Sequence, residues 1–425
     1  MKKVLVFPCG SEIGLEINRS LADSTHFELY GASSVDDHGL YVYRNYVGGL
    51  PNISDDDCID RINDVIDRYG IDFLFPAHDS AVLSFARNAE KLHAVVVTSP
   101  LETCEICRSK LKTYARLSGV VPVPAVYEKG ADLTFPLFAK PDVGQGSRGA
   151  HKITTQKEYD YFVADTDGLV LSEFLPGAEF TVDCFTDRHG HLLFCKGRRR
   201  ARISNGISVH AVPVDHPGFR TIAESINNSM TFRGMWFFQV KERANGELVL
   251  MEIAPRIAGT MGLFRGAGVN FAQLSLFDAM NYDVDVFMNE CRIENDRALY
   301  ACYKTDIDYD TIYIDFDDTI TSHGKVNPDV MRLLYQARNQ NKHIIIISRH
   351  TSNIQESMRN YCIDMNLFDD IIIIDDKSTK KSSFIKTRHS IFIDDSFAER
   401  KDVFNNCGIP VFSVDAIEVL IDNRK

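Results

Sequence analysis

With 425 residues, 44% of them hydrophobic and 25% charged, the chain is long enough for two to four soluble globular domains and apolar enough to bury a core in each. Its net charge of −12 argues against nucleic acid or an anionic membrane as the main partner. The ten cysteines are scattered, and the nearest pair, Cys104 and Cys107, has no second pair at zinc spacing, so they read as reduced thiols of a cytoplasmic protein.

The apolar run after Lys3 is too short for a signal peptide, and no run approaches a bilayer-spanning length. Lys3–Phe7 reads as a buried parallel strand, Pro8–Gly14 as a turn, and the stretch carrying Leu15, Ile17 and Leu21 as a helix. This is a Rossmann-like opening, but it lacks a full G-x-G-x-x-G and has no acid placed to clamp a ribose, which argues against NAD. Phe27–Gly31 follows as a strand, Cys58–Tyr69 as an amphipathic helix and Ile71–Pro76 as a third strand. His78 and Asp79 sit just past that strand, where a doubly wound sheet puts ligands; a surface turn accounts for them equally well. Val95–Val97 closes a first unit near residue 100.

A helix is predicted over Cys104–Leu117, carrying Lys110 and Lys112. A strand then runs into Lys140, and Gly144, Gly146, Ser147, Arg148 and Gly149 follow. Glycines let backbone N–H groups turn toward an anion, and a lysine at a strand end can hold a polyphosphate. A hairpin tip is the competing account. Tyr159–Ala164 reads as a short helix, Leu169–Leu175 as a strand stopped by Pro176-Gly177, and Glu179–Phe185 as an alternating strand. Leu192–Cys195 pairs with it across the 188–190 turn, and the basic stretch 198–202 follows. Strands at 236–241 and 248–253 form a hairpin about the 244–246 turn, with Ala254-Pro255-Arg256 directly after and a helix ending at Ala279.

The mixed, polar stretch 288–308 marks a boundary, since the pattern then restarts. Strands are predicted at 311–315, 344–347, 371–374, 391–393 and 410–413, with helices at 328–337 and 351–358. Strands alternating with helices imply a parallel sheet covered on both faces.

The ordered set Lys110, Lys140 with its loop, Ser172-Glu173-Phe174-Leu175-Pro176-Gly177-Ala178-Glu179, the arginines at 198 and 200, Gln239, and Met251-Glu252-Ile253-Ala254-Pro255-Arg256 resembles the ATP-grasp ligase superfamily, near its carbamoyl-phosphate-synthetase-like and carboxylate–amine ligase members, over roughly residues 1–290. The resemblance implies a Rossmann-like pre-ATP-grasp domain at 1–100 and a two-lobed α+β ATP-grasp domain at 101–290. It implies ATP phosphates held by Lys110, Lys140 and the loop with Gly146 and Ser147, adenine lined by Glu173, Phe174 and Leu175, and ribose held by Glu179. Mg²⁺ would sit on Glu252 and the amide oxygen of Gln239, an oxygen-ligand set suited to that hard cation. Arg256, with Arg200 or Arg198, would steady the transferring phosphoryl group. Two departures stand out: Ala254 replaces the asparagine of Glu-x-Asn-Pro-Arg, and Gln239 replaces a common carboxylate, which leaves the second metal open.

Asp315-Phe316-Asp317-Asp318-Thr319, Ser348-Arg349, the lysines at 377, 380 and 381, and Asp394-Asp395 occur in that order over 309–425 and resemble the haloacid-dehalogenase (HAD) phosphatase superfamily. That implies a HAD-like doubly wound parallel sheet, capless because the intervals are short. Asp315 would be the nucleophile and Asp317 the acid and base. Mg²⁺ would lie on Asp315, the Asp317 backbone and Asp394, and Thr319, Ser348 and Lys381 would bind the phosphate.

The expected protein is therefore an α/β bifunctional enzyme, a carboxylate–amine ligase fused to a phosphatase. It would take small-molecule carboxylate and amine substrates, and a phosphorylated substrate for the tail, with homodimerisation left open. Two other readings stay in view: a phosphatase with a degenerate, regulatory nucleotide-binding half, and a ligase with a structural tail.

Overall fold

The computed structural model describes residues 1–424 apart from 131–132, 145, 147, 164–165, 205–206, 292 and 377. The chain divides into two compact units, Met1–Tyr300 and Ala301–Arg424.

The first unit opens on five parallel strands in the order Asn45–Val47, Phe27–Ala32, Lys2–Phe7, Phe73–Pro76, Val95–Val96. The continuous apolar runs put Val4, Leu5, Val6 and Leu74 out of solvent entirely, as a sheet covered on both faces requires. The order reverses between Lys2–Phe7 and Phe73–Pro76, so a crevice opens at their carboxyl ends. At the first of these ends Ser11 caps the helix Glu12–Leu21, its hydroxyl accepting from the Gly14 N–H. The Asp37 carboxylate lies so close over Gly10 that a Cβ there would meet it at 1.9 Å, so protein fills the space above this turn.

The helix expected over Cys104–Leu117 is two helices, Leu101–Arg108 and Lys110–Leu117. Ser109 breaks them: its backbone is extended and its hydroxyl accepts from the Lys112 N–H. A serine satisfies the orphan donors of a new helix better than it continues an old one. The next short helix is Gln156–Phe162, and the expected end at Ala164 lies outside the described residues.

Two antiparallel sheets follow. A four-stranded one has the order Val126–Tyr127, Leu169–Glu173, Leu137–Pro141, His151–Ile153. A six-stranded one runs Leu248–Ala254, Gly234–Glu242, Glu179–Thr186, Leu192–Ser204, Ile207–Val214, Asn295–Asp296. Alternation divides the larger sheet. Phe180, Val182, Cys184, Trp236 and Phe238 pack on Phe219, Ile222 and Ile226 of the helix Pro217–Ser229, and Glu179, Thr181, Gln239 and Lys241 take the other face. The basic stretch 198–202 is therefore the middle of a 13-residue strand, not a charged loop edge.

The second unit is again five parallel strands with helices between: Asp370–Ile373, His343–Ser348, Thr311–Ile314, Ser390–Ile393, Val411–Phe412. In chain order this is 3-2-1-4-5, the same as the first sheet. The reversal falls between Thr311–Ile314 and Ser390–Ile393, whose carboxyl ends carry Asp315 and Asp394. Among the described residues no helix is long and apolar enough to cross a membrane.

Candidate functional site

A cavity of about 460 Å³ in the first unit is lined from both antiparallel sheets and from the crevice of the parallel one. Lys110, Lys140, Gly146, Glu173, Phe174, Leu175, Glu179, Arg198, Arg200, Gln239, Glu252 and Arg256 all line it, although 146 residues separate the first from the last. Ser147 lies outside the described residues. Nine lysines and arginines and five acids line a cavity inside a chain of net charge −12, so the local sign is the reverse of the global one and suits an anionic occupant.

Each charge has a position the pattern alone did not specify. Lys140 ends the strand Leu137–Pro141 and is buried; its Nζ donates to the Tyr114 hydroxyl at 2.7 Å, which in turn donates to the Met251 carbonyl at 2.8 Å. Burial pulls the ammonium down to about 8, more than the neighbouring Glu252 carboxylate restores. Asp142 organises the other lysine. Its carboxylate accepts from the Ser109 hydroxyl and the Leu111 N–H, and its carbonyl accepts from Lys110 Nζ at 3.2 Å. Gly146 and Gly149, which follow Lys140, take φ of +60° and +69°. Tyr114 and Asp142 were not picked out from the sequence, because a tyrosine in a helix and an acid after a strand carry no local signal of what they hold.

On the larger sheet Gln239 stands directly across from Glu252, and Thr181 across from both Gln239 and Arg198. Arg200 Nη1 lies 2.5 Å from Glu179 Oε1 and 2.8 Å from Gln239 Oε1. Arg198, the other arginine considered for phosphoryl contact, also lines the cavity but is already paired within the protein. It is buried and forks onto Asp183 at 2.7 and 3.1 Å, and burial still pushes that carboxyl up. Asp183→Ala strands the guanidinium without its partner, and a loss of roughly 3–5 kcal/mol of stability is expected, read by urea denaturation of the purified protein.

Two further cavity residues are already paired within the protein. The Arg256 guanidinium, expected at a phosphoryl group, forks onto Asp79 at 2.6 and 2.8 Å across 177 residues. Burial opposes charge in both, yet the pair holds Asp79 below the usual carboxylate range and Arg256 above its own. His78 and Asp79 are thus no surface turn. His78 caps the helix Asp79–Arg87, its Nδ1 accepting from the Ser80 N–H, and both residues line the cavity. The Glu173 carboxylate turns to Arg243 and the Ala125 N–H, leaving its backbone with Phe174 and Leu175 at the cavity.

The second unit holds its own cluster. Lys381 is buried, with Nζ 3.0 Å from Asp315 Oδ1 and 2.7 Å from Asp394 Oδ2. Burial pushes the Asp315 carboxyl up and pushes Asp394 to about 6, with Lys381 pulling each back in part. Oxygens of Asp315, Asp394 and Asp395 come within 4.8 Å of one another. One ammonium among three carboxylates leaves an excess of oxygen donors that suits a hard divalent cation. Ser348 is buried at the end of its strand. Asp317 stands apart from the acid cluster, its carboxylate 2.9 Å from His350 Nδ1. Thr319, expected at a phosphate, is fully buried and accepts from the Asp395 N–H at 3.0 Å, linking the turns that follow two neighbouring strands.

Over about two thirds of its length the chain has a mixed α/β fold that other solved structures share. Solved structures that share it include the biotin carboxylase domain of 2-oxoglutarate carboxylase from Hydrogenobacter thermophilus, in complex with MgADP, ADP and bicarbonate (14% identity, TM-score 0.56, 69% of this chain and 72% of that one). Others are L-amino acid ligase from Bacillus licheniformis (20%, 0.54, 66% and 74%) and N5-carboxyaminoimidazole ribonucleotide synthetase from Thermotoga maritima (17%, 0.52, 68% and 78%). Identities this low speak to fold. Residues 165–294 match the family model described as ATP-grasp in the biosynthetic pathway with Ter operon. Among curated protein sequences, none matches.

Proposed function

We propose that this chain is a two-site enzyme, an ATP-dependent carboxylate–amine ligase working through an acyl phosphate, joined to a HAD-type, Mg²⁺-dependent phosphatase. The observation that carries the ligase reading is the single basic cavity shared by Lys110, Lys140, Glu179, Gln239 and Glu252. Its volume of about 460 Å³ is that of a small-molecule site. Lys140 is the test of fit. A buried ammonium whose hydrogen-bond acceptor among the described residues is a phenol gains most from an anion, so phosphate oxygens suit it. Lys110, Lys140 and the glycine loop hold the phosphates, the backbone of 173–175 reads the adenine, and Glu179 accepts from the ribose. Glu252 would carry Mg²⁺, which screens charge on the transferring phosphoryl group. Arg200 faces that group, while Arg256 acts from its pair with Asp79. The γ-phosphoryl passes to the carboxylate, ADP leaves, and an amine displaces phosphate from the acyl phosphate. The matched family's description, a biosynthetic pathway, supports a synthetic role.

In the second unit the 3-2-1-4-5 order, with Asp315 and Asp394 at the switch point, supports the phosphatase reading. Asp315 attacks phosphorus, Asp317 protonates the leaving oxygen and then takes a proton from water, and Ser348 and Lys381 hold the phosphate. Asp315 and Asp394 would hold Mg²⁺ through their oxygens.

The experiment is ADP release from the whole protein with MgATP and a panel of carboxylates and amines. ADP release that requires a carboxylate, and that falls at least about 100-fold in Glu252→Gln, is expected. A second reading, phosphatase with a regulatory nucleotide half, draws on Gln239, whose amide oxygen Arg200 already takes, and on Ala254, which offers no ligand. Nucleotide binding with no carboxylate-dependent turnover would favour that reading over the ligase.

A further inference from the structure

His350 lies two residues past Ser348 and belongs to no motif read from the sequence. Its ring is nearly buried, with a tenth of the side chain exposed, and is fixed on three sides. Nε2 is 2.8 Å from the Ser357 hydroxyl, the ring meets Phe316 edge-on at 5.2 Å, and Nδ1 is 2.9 Å from both oxygens of Asp317. Asp317 needs such an anchor. Half of its side chain is exposed. It also precedes Asp318, whose φ of +52° puts the turn in the left-handed region. Nothing else with a short bond to its carboxylate is seen among the described residues.

We propose that His350 is a positioning residue for Asp317, holding the carboxyl group where it can meet the leaving oxygen of a phosphate ester. This rests on the phosphatase reading of the second unit. In the step it serves, an Asp315 oxygen bonds to phosphorus as the bond from phosphorus to the ester oxygen breaks, and the Asp317 carboxyl proton passes to that oxygen. Water then attacks phosphorus, returns a proton to Asp317 and frees Asp315. His350 touches none of the reacting atoms.

The test compares kcat and KM of the whole protein on an aryl phosphate and an alkyl phosphate, since only the poor alkoxide leaving group depends strongly on proton donation. His350→Ala is expected to lower kcat roughly 10- to 100-fold on the alkyl ester and only a few-fold on the aryl ester, with KM within about twofold. His350→Asn, whose amide can stand where Nδ1–H stands, restores most of the loss. In an Asp317→Ala background, His350→Ala adds nothing further. Ser357→Ala, which loosens the ring without touching Asp317, gives a smaller loss of the same kind and serves if His350→Ala does not fold. Equal losses on both esters, or additive losses with Asp317→Ala, assign His350 a structural role and overturn the proposal. Wild-type protein with no turnover that depends on Asp315 overturns the phosphatase reading and this inference with it.

Discussion

Asp315→Asn is expected to abolish phosphate release from an aryl phosphate, by roughly 10⁴-fold or more, the scale on which removing a covalent nucleophile acts. The amide has the carboxylate's shape but cannot form the acyl phosphate. The fold is expected to survive. At present one buried ammonium, Lys381, faces two buried carboxylates at 3.0 and 2.7 Å. Burial raises the proton affinity of both acids, pushing Asp394 to about 6, with Asp315 itself contributing to that rise. Neutralising Asp315 leaves Lys381 and Asp394 as a balanced pair, so the thermal midpoint should hold or rise. Phosphate release and a melting curve on the same preparation check both halves. Activity within tenfold of wild type would remove Asp315 from the chemistry. Lost activity with a collapsed melting point would say that the variant had damaged the unit rather than the reaction.

The place of Asp315 at a strand end was readable from sequence while the partner of His350 was not, and the reason lies in what each signal encodes. Ile312, Ile314, Ile344, Ile346, Ile391 and Ile393 are fully buried and belong to continuous apolar runs, so strands and their carboxyl ends are marked locally, and an acid at such an end announces itself. A contact such as Asp317 with His350, Arg256 with Asp79, or Glu173 with Arg243 joins residues 33, 177 and 70 positions apart. Periodicity assigns faces to side chains and is silent on which charge meets which.

The same limit explains the arginine stretch. Arg198, Arg199 and Arg200 in a row look like a solvated edge. In the long strand Leu192–Ser204 a period of two sends Arg198 and Arg200 to the cavity and Arg199 away from it. A central strand carrying several cations defeats an apolarity criterion, and its partner Ile207–Val214 was missed along with it. The helix Pro217–Ser229 did leave a trace: proline at its first turn after His216, whose ring caps the Gly218 N–H. The break at Ser109 left another, a serine three residues ahead of the capped N–H.

Lys140→Met is expected to weaken nucleotide binding roughly 10- to 150-fold, the loss of about 1.5–3 kcal/mol that accompanies one hydrogen bond from a charged donor. Methionine fits the buried site, and the Tyr114 hydroxyl keeps its bond to the Met251 carbonyl, so the lobe should remain folded. The pH dependence gives the sharper result. Without ligand the ammonium titrates at about 8 rather than its ordinary 10.5, because burial disfavours its charge. Phosphate oxygens favour the charged form, so binding raises the proton affinity of Lys140 and takes up a proton wherever the free protein has lost one. Affinity for ATP should then be level below about pH 8 and fall as pH rises above it. In Lys140→Met the part of that fall that belongs to this lysine disappears. The free protein should respond in the opposite sense. Between about pH 8 and 10.5 the unfolded chain binds the proton that the folded chain has released, so this lysine's contribution to stability improves as pH rises through that window. Titration calorimetry of ATP from pH 7 to 9.5 on both proteins checks the first effect, and urea denaturation over the same range checks the second. An affinity that stays level in the wild type to pH 9.5 would mean that Lys140 meets no phosphate, and the cavity would have to be filled by some other anion.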